Sequence, residues 1–146
     1  MKNKTNILIT GASGFIGSRV LNKLIQKNTN YIFLLIRDET NLSRISNHIN
    51  SERVSTFFFD NIEEVFKKNE IDFVIHLATN YIKFDKPNEH ESLIEDNVNK
   101  PSKIVNLAIK HNVKGFINTG TFFEVDEGEN LITEDSKIYP FNFYAK

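Results

Sequence analysis

Short, nearly continuous apolar runs alternate along this chain with longer segments whose apolar positions recur every three or four residues. Five runs stand out: Ile7-Leu-Ile-Thr10, Tyr31-Ile-Phe-Leu-Leu-Ile36, Val54-Ser-Thr-Phe-Phe-Phe59, Asp72-Phe-Val-Ile-His-Leu77 and Gly115-Phe-Ile-Asn-Thr119. Runs this short and this unbroken predict strands buried on both faces of a parallel sheet. After the first run, Phe15 to Lys27 sets Ile16, Val20, Leu24 and Ile25 at helical spacing among Lys, Arg, Asn and Gln, which predicts an amphipathic helix. Glu63 to Asn69 predicts a shorter helix. Ser92 to His111 predicts a long one, in which Pro101 either introduces a kink or marks the first turn. Residues 80 to 90, holding Tyr81, Asp85 and Pro87, read as a surface loop. Asp126 to Tyr139 reads as a polar loop leading to Pro140, with a new helix expected near Phe143.

Strand and helix in alternation are the sequence form of βαβ units. Right-handed crossovers then assemble them into an α/β fold, a doubly wound Rossmann-type parallel sheet whose ligand crevice lies at the carboxyl ends of the strands. A chain of 146 residues suits one domain. With 40% hydrophobic and 25% charged residues, a packed core is expected rather than disorder.

Charge and cysteine content narrow the function classes. Lys plus Arg number 18 against 19 Asp plus Glu, a net charge of -1. No overall field draws in nucleic acid, so any phosphate binding must be local. The first apolar run, Ile7 to Ile9, is too short for a signal-peptide core or a membrane span, and no membrane partner is expected. Cysteine is absent, which excludes disulfides, thiolate metal ligands and a Cys nucleophile, and fits a reducing, cytoplasmic location. No His or carboxylate spacing points to a metal.

The most specific chemistry lies in Gly11-Ala-Ser13-Gly14-Phe15-Ile16-Gly17, set between the first strand and the first helix. In that context Gly11 allows a tight turn, Gly14 lets a pyrophosphate approach the main chain, and Gly17 lets helix and strand pack closely. Free amides at the helix start face the phosphates. The spacing is G-x-x-G-x-x-G and no G-K-[ST] follows, which argues against a P-loop NTPase. A glycine turn that binds nothing is the bland alternative, and the flanking strand and helix weigh against it.

Ile9-Thr-Gly-Ala-Ser-Gly-Phe-Ile-Gly17 resembles the opening motif of the extended short-chain dehydrogenase/reductase family, the NAD-dependent epimerase/dehydratase group, and the resemblance continues along the chain. The family usually ends its second strand with an acidic residue that holds the NAD ribose. Here Arg37 stands at that place, and a guanidinium favours a 2′-phosphate, so the expected cofactor shifts from NAD toward NADP. Asp38, one residue on, can still reach a ribose hydroxyl, and Arg37 can otherwise be a solvated strand-end cation. Asp60 and Asn61 resemble the family's adenine-contacting turn, or else cap the following helix. Leu77 and Ala78 match residues lining the ribose side, while His76 beside them reads as a hydrogen-bonded structural residue. Asn97 matches the Asn that opens the family's long helix and fixes active-site geometry, with a plain helix-start residue as the alternative.

By the same resemblance, Thr121 takes the place of the Ser or Thr that polarises the substrate oxygen, with Thr119 as a rival. Tyr144 takes that of the Tyr in Y-x-x-x-K. A free phenol titrates near ~10 and needs a neighbouring cation to exchange protons at neutral pH. Lys146 is two residues along, on the far side of a helix, and the sequence stops there. The expectation is therefore an incomplete domain, truncated at the C-terminal side: a shortened gene product or a partial sequence, lacking the later strands and the substrate domain. The implied parent activity is hydride-transfer chemistry on a nucleotide sugar, with room for a homodimer in a full-length protein. A non-catalytic NAD(P)-binding or sensing module is the alternative.

Overall fold

The computed structural model describes residues 4–37, 40–81, 87–125, 131–140 and 142–146. Five strands form one parallel sheet in the order β3-β2-β1-β4-β5: β1 Thr5–Thr10, β2 Asn30–Ile36, β3 Val54–Phe58, β4 Phe73–His76 and β5 Gly115–Asn118. The chain moves outward from β1 through β2 to β3, then returns to β1's other side for β4. That reversal opens a crevice above the carboxyl end of β1, where doubly wound sheets bind ligands.

Successive residues of a strand point to opposite faces, and each face has its own core. Leu8, Leu35 and Val74 pack with Ile62, Val65 and Phe66 of α3 (Ile62–Lys68) and Ile104, Leu107 and Ala108 of α5 (Lys100–Lys110). Ile7, Ile9, Ile32 and Leu34 pack on the other face with Leu21 and Ile25 of α1 (Phe15–Ile25) and with Ile45. The buried stripe of α1 runs through Gly17, Leu21 and Ile25, while Ile16 is 62% exposed. Ile16 was expected on the packed face. Gly17 takes the buried position because only a residue without a side chain fits against the Gly11–Ala12 backbone.

The five expected strands are present. Continuous burial is not, because β3 and β5 are the outer strands of the described sheet and leave alternate residues exposed. A short helical segment, a 3₁₀ turn at Ser43–Ile45 followed by α2 (Ser46–Ile49), links β2 to β3. The long helical run consists of α4 (His90–Ile94), a π turn at Glu95–Asn99, and α5. Pro101, in the first turn of α5, lacks an N–H and would crowd the carbonyl four residues back, and the widened turn before it accommodates that. Asn112, with φ 54, ends the run in the left-handed conformation that Asn tolerates. Residues 143–145 form turns, where a new helix was expected.

At the amino edge of the sheet Asp72 joins three strands. Its carboxylate accepts from Asn6 N at 2.8 Å and meets Lys114 Nζ at 2.6 Å. Partial burial alone would raise its pKa, but the Lys114 and Asn6 contacts outweigh that and hold it below the ordinary value.

Candidate functional site

Thr10, the last residue of β1, organises the carboxyl edge. Its buried Oγ1 accepts from Leu77 N at 3.2 Å and Ala78 N at 3.1 Å, and lies 2.7 Å from His76 Nδ1. With both amides donating to it, the hydroxyl's own proton points to Nδ1, which makes His76 a neutral acceptor with its proton on Nε2. Burial pushes the His76 pKa below its ordinary value, in keeping with that neutral form. His76 is thus a structural residue, as its strand-end place suggested.

The glycine loop rests against this edge. Gly11 has φ +70, and a Cβ on it would stand 2.6 Å from Ala78 N and 2.7 Å from the Leu77 carbonyl carbon. A Cβ on Gly17 would stand 2.1 Å from Gly11 O. These two positions admit no side chain, so the loop lies flat on the β4 end and α1 starts directly behind it. Gly14 N donates to Gly11 O at 3.0 Å, and Gly14 caps α1 with no side-chain bond. No acidic residue occupies the first turn of α1. Its amide dipoles therefore favour an incoming anion.

A cavity of about 400 Å³ opens over the loop. Its wall includes Gly11, Ser13, Gly14, Phe15, Ile16, Gly17, Arg37, Leu77 and Ala78 among the residues expected from the sequence. A Gly-walled crevice with apolar sides and a helix amino terminus fits the pyrophosphate and flanking ribose of a dinucleotide. Arg37 is exposed at the end of β2, where its N–H donates to Thr40 Oγ1 at 3.0 Å and Thr40 also lines the cavity. Asp38 lies outside the described residues. Asp60 and Asn61 form a 3₁₀ turn with Phe59, and it is Phe59 that reaches the wall. Asn61 precedes α3 without making a side-chain cap bond.

Asn97 sits inside the π turn rather than opening the helix, because the helical run already begins at His90. The π turn lies beside the loop after β4, and Asn97 clamps that loop's main chain. Its Oδ1 accepts from Asn80 N and its Nδ2 donates to Asn80 O, both at 2.8 Å. Thr79, next in the loop, bridges the Asn97 amide at 3.4 Å and the Tyr144 hydroxyl at 3.2 Å. Tyr81 meets Tyr144 edge-on at 5.2 Å between ring centroids. Tyr144 is thereby joined to the cavity rim through Thr79. Thr121 is engaged differently: its Oγ1 accepts from Phe123 N at 3.3 Å and its N–H donates to Glu124 Oε1 at 2.8 Å, a capping box. Thr119 donates to His76 O at 3.2 Å.

Thr10, Thr40, Phe59, Thr79, Asn80, Asp96 and Lys100 belong to the site or its frame without having been expected there. Thr10 carried a signal, a hydroxyl ending an apolar strand next to a glycine loop. Asp96 and Lys100 carried another, polar residues on the inward face of the long helix. Phe59 and Thr79 carried none, since their places depend on how the loops return.

Known proteins resemble this chain in sequence and in fold. The model of the NAD dependent epimerase/dehydratase family matches residues 7–146. CDP-abequose synthase of Salmonella typhimurium is 35% identical over 125 residues, covering 82% of this chain and 39% of that protein. UDP-glucose 4-epimerase of Caenorhabditis elegans is 29% identical over 129 residues, covering 77% and 36%. The chain thus spans about two fifths of the length of these curated relatives. Two solved structures share the fold. The enzyme WbmG of Bordetella bronchiseptica, in complex with NAD and UDP, has a TM-score of 0.83 at 21% identity, over 98% of this chain and 46% of that one. The UDP-Glc/GlcNAc 4-epimerase of Campylobacter jejuni has a TM-score of 0.85 at 20% identity, over 97% and 45%. The glycine loop falls inside the matched residues, and the sheet around it is the one these structures share. This chain belongs to the NAD dependent epimerase/dehydratase family.

Proposed function

We propose that this chain forms the dinucleotide-binding part of an enzyme that modifies a nucleotide sugar. The observation that carries the reading is the cavity over Gly11–Gly17, where two positions exclude any side chain and the start of α1 faces the space. In this reading Gly11, Ser13, Gly14, Phe15, Ile16 and Gly17 hold the pyrophosphate, Leu77 and Ala78 line the ribose side, and Asn97 keeps the 79–80 loop in place. Asp60 and Asn61 flank the adenine end through Phe59. Arg37 favours the 2′-phosphate, so NADP(H) binds more tightly than NAD(H).

The bound dinucleotide would supply hydride transfer at a sugar carbon. Tyr144 would carry the hydroxyl proton, with Thr79 positioning its phenol, and Thr121 would polarise the substrate oxygen with its O–H, which the bond it accepts from the Phe123 amide leaves free. The nucleotide-sugar names of the relatives support this substrate class.

Calorimetric titration with NADH and NADPH, followed by a turnover assay with UDP- and CDP-hexoses, tests the reading. Saturable binding is expected, tighter for NADPH. Arg37→Ala should weaken NADPH about tenfold and leave NADH nearly unchanged. Tyr144→Phe should lower any turnover by about 10²–10⁴ with cofactor affinity intact. Failure to bind either dinucleotide would overturn the reading. A second reading, a non-catalytic binding module, is favoured by one observation: neither Thr121 nor Tyr144 is among the described residues that line the cavity. Binding with no turnover would select it.

A further inference from the structure

The end of the cavity beside β3 is apolar. Buried Leu35 and Ile104 and half-buried Phe59 line it and pack in one cluster. Asp60 and Asn61, which the family resemblance sets against adenine, are exposed, and neither is among the described lining residues. The polar groups at this end come instead from the long helical run. Lys100, one turn before Ile104 on α5, lines the cavity and holds its Nζ 5.8 Å from the centroid of the Phe59 ring. Asp96, a further turn back, lines the cavity as well, and its Oδ1 lies 2.5 Å from Lys100 Nζ. The two side chains are 22% and 32% exposed, Asp96 the less. An ion pair this far withdrawn from water adds little stability, because desolvation offsets much of its attraction.

Lys103 makes the contrast. Its Nζ also stands 5.8 Å from the Phe59 ring centroid, but it is paired with exposed Glu63 at 3.3 Å and is not among the described lining residues. Of the two ammoniums beside Phe59, only that of Lys100 belongs to the cavity wall. Its bond to Asp96 uses one of three protons, and Asp96 Oδ1 keeps a second lone pair while Oδ2 accepts from Asn80 Nδ2 at 3.1 Å. An apolar slot is thus edged by a donor and an acceptor side by side. Adenine carries the matching edge, a ring nitrogen that accepts next to an exocyclic amine that donates, whereas guanine has a carbonyl in place of that amine.

We propose that the Lys100 and Asp96 pair reads the adenine base of the dinucleotide: Lys100 Nζ donates to a ring nitrogen and Asp96 Oδ1 accepts from the exocyclic amine, with the base lying against Phe59 and Ile104. This rests on the dinucleotide reading. It moves base recognition from the turn after β3 to the helical run that crosses the sheet's other side.

Calorimetry with NADPH and with its hypoxanthine analogue, in which a carbonyl replaces the amine, tests the assignment, with thermal melts showing that each variant is folded. The wild type should bind NADPH about ten- to hundredfold more tightly than the analogue. Asp96→Asn keeps the shape and offers the carbonyl an N–H, so it should bring the two ligands within about threefold of each other. Lys100→Met should weaken NADPH about tenfold and the analogue less than about threefold. If Lys100→Met melts below the assay temperature, Asp96→Asn carries the test. A wild type that binds the two ligands alike, or variants that shift both ligands equally, overturns the inference while NADPH binding keeps the dinucleotide reading. A wild-type chain that binds neither ligand overturns both.

Discussion

The glycine-loop side of the molecule and residues 115–146 are built to different standards. In the first, Leu8, Ile9, Leu21 and Leu34 are each 0% exposed, and helices cover both faces of β1 and β2. In the second, Ile117 is 58%, Leu131 76% and Ile138 76% exposed. Phe116 packs under α5, but its neighbour Ile117 points to the face where no described helix covers it. The described residues that line the cavity over the glycine loop all fall within 10–104. Among the described residues, Thr121 and Tyr144 rest on a more open scaffold, held by a capping box, a bridge between Val125 and Ile138, the Thr79 and Tyr81 contacts of Tyr144, and Phe143 stacked on His90. Cofactor binding and turnover should be separable by mutation.

The sharpest way to break that contrast is to truncate one buried and one exposed side chain. Leu34→Ala should lower unfolding free energy by about 2–5 kcal/mol, while Ile117→Ala should change it by less than about 0.5 kcal/mol, read from urea denaturation. Equal losses would mean that the 115–146 region is as tightly packed as the glycine-loop side. Next, Gly17→Val forces a side chain against Gly11 O. A loss of about 1–3 kcal/mol and abolished dinucleotide binding are expected. Thr10→Val keeps the shape but removes the acceptor of Leu77 N and Ala78 N, for a loss of about 1–3 kcal/mol.

The smallest effect is one of pH. His76 has a pKa below 6.5 in the folded chain because it is buried. The unfolded chain therefore binds more protons as the medium turns acidic. Stability from this residue is complete above about pH 6.5 and is lost as pH falls through the folded-state pKa. Urea midpoints at pH 7.5 and 5.5 should drop more for the wild type than for His76→Gln. Identical drops would count against the neutral, Thr10-bound histidine.

Much of this was legible in the sequence, and the exceptions have physical reasons. Strand runs could be read because β1, β2 and β4 lie between covered faces. The glycine loop could be read because its backbone requirements are local. Leu24 and Ile25 of α1 pack as their spacing indicates, but at its start the contact falls on Gly17 rather than Ile16, because a bare glycine gives no apolar signal. Leu42, Ile45 and Ile49 do carry a helical spacing that foretells the segment at 43–49. The Thr121-Phe-Phe-Glu124 cap was also readable, as a T-x-x-E pattern. Asn97's clamp on Asn80 was not, since it depends on a π turn and on the return path of a loop 17 residues away.

The central proposal is that the cavity over Gly11–Gly17 binds a dinucleotide. Calorimetric titration of the 146-residue chain with NADPH, beside its Gly17→Val variant, tests it most directly. Saturable one-to-one binding that disappears in the variant is the predicted result. A wild-type chain that is folded by circular dichroism and takes up no NADPH or NADH would contradict it.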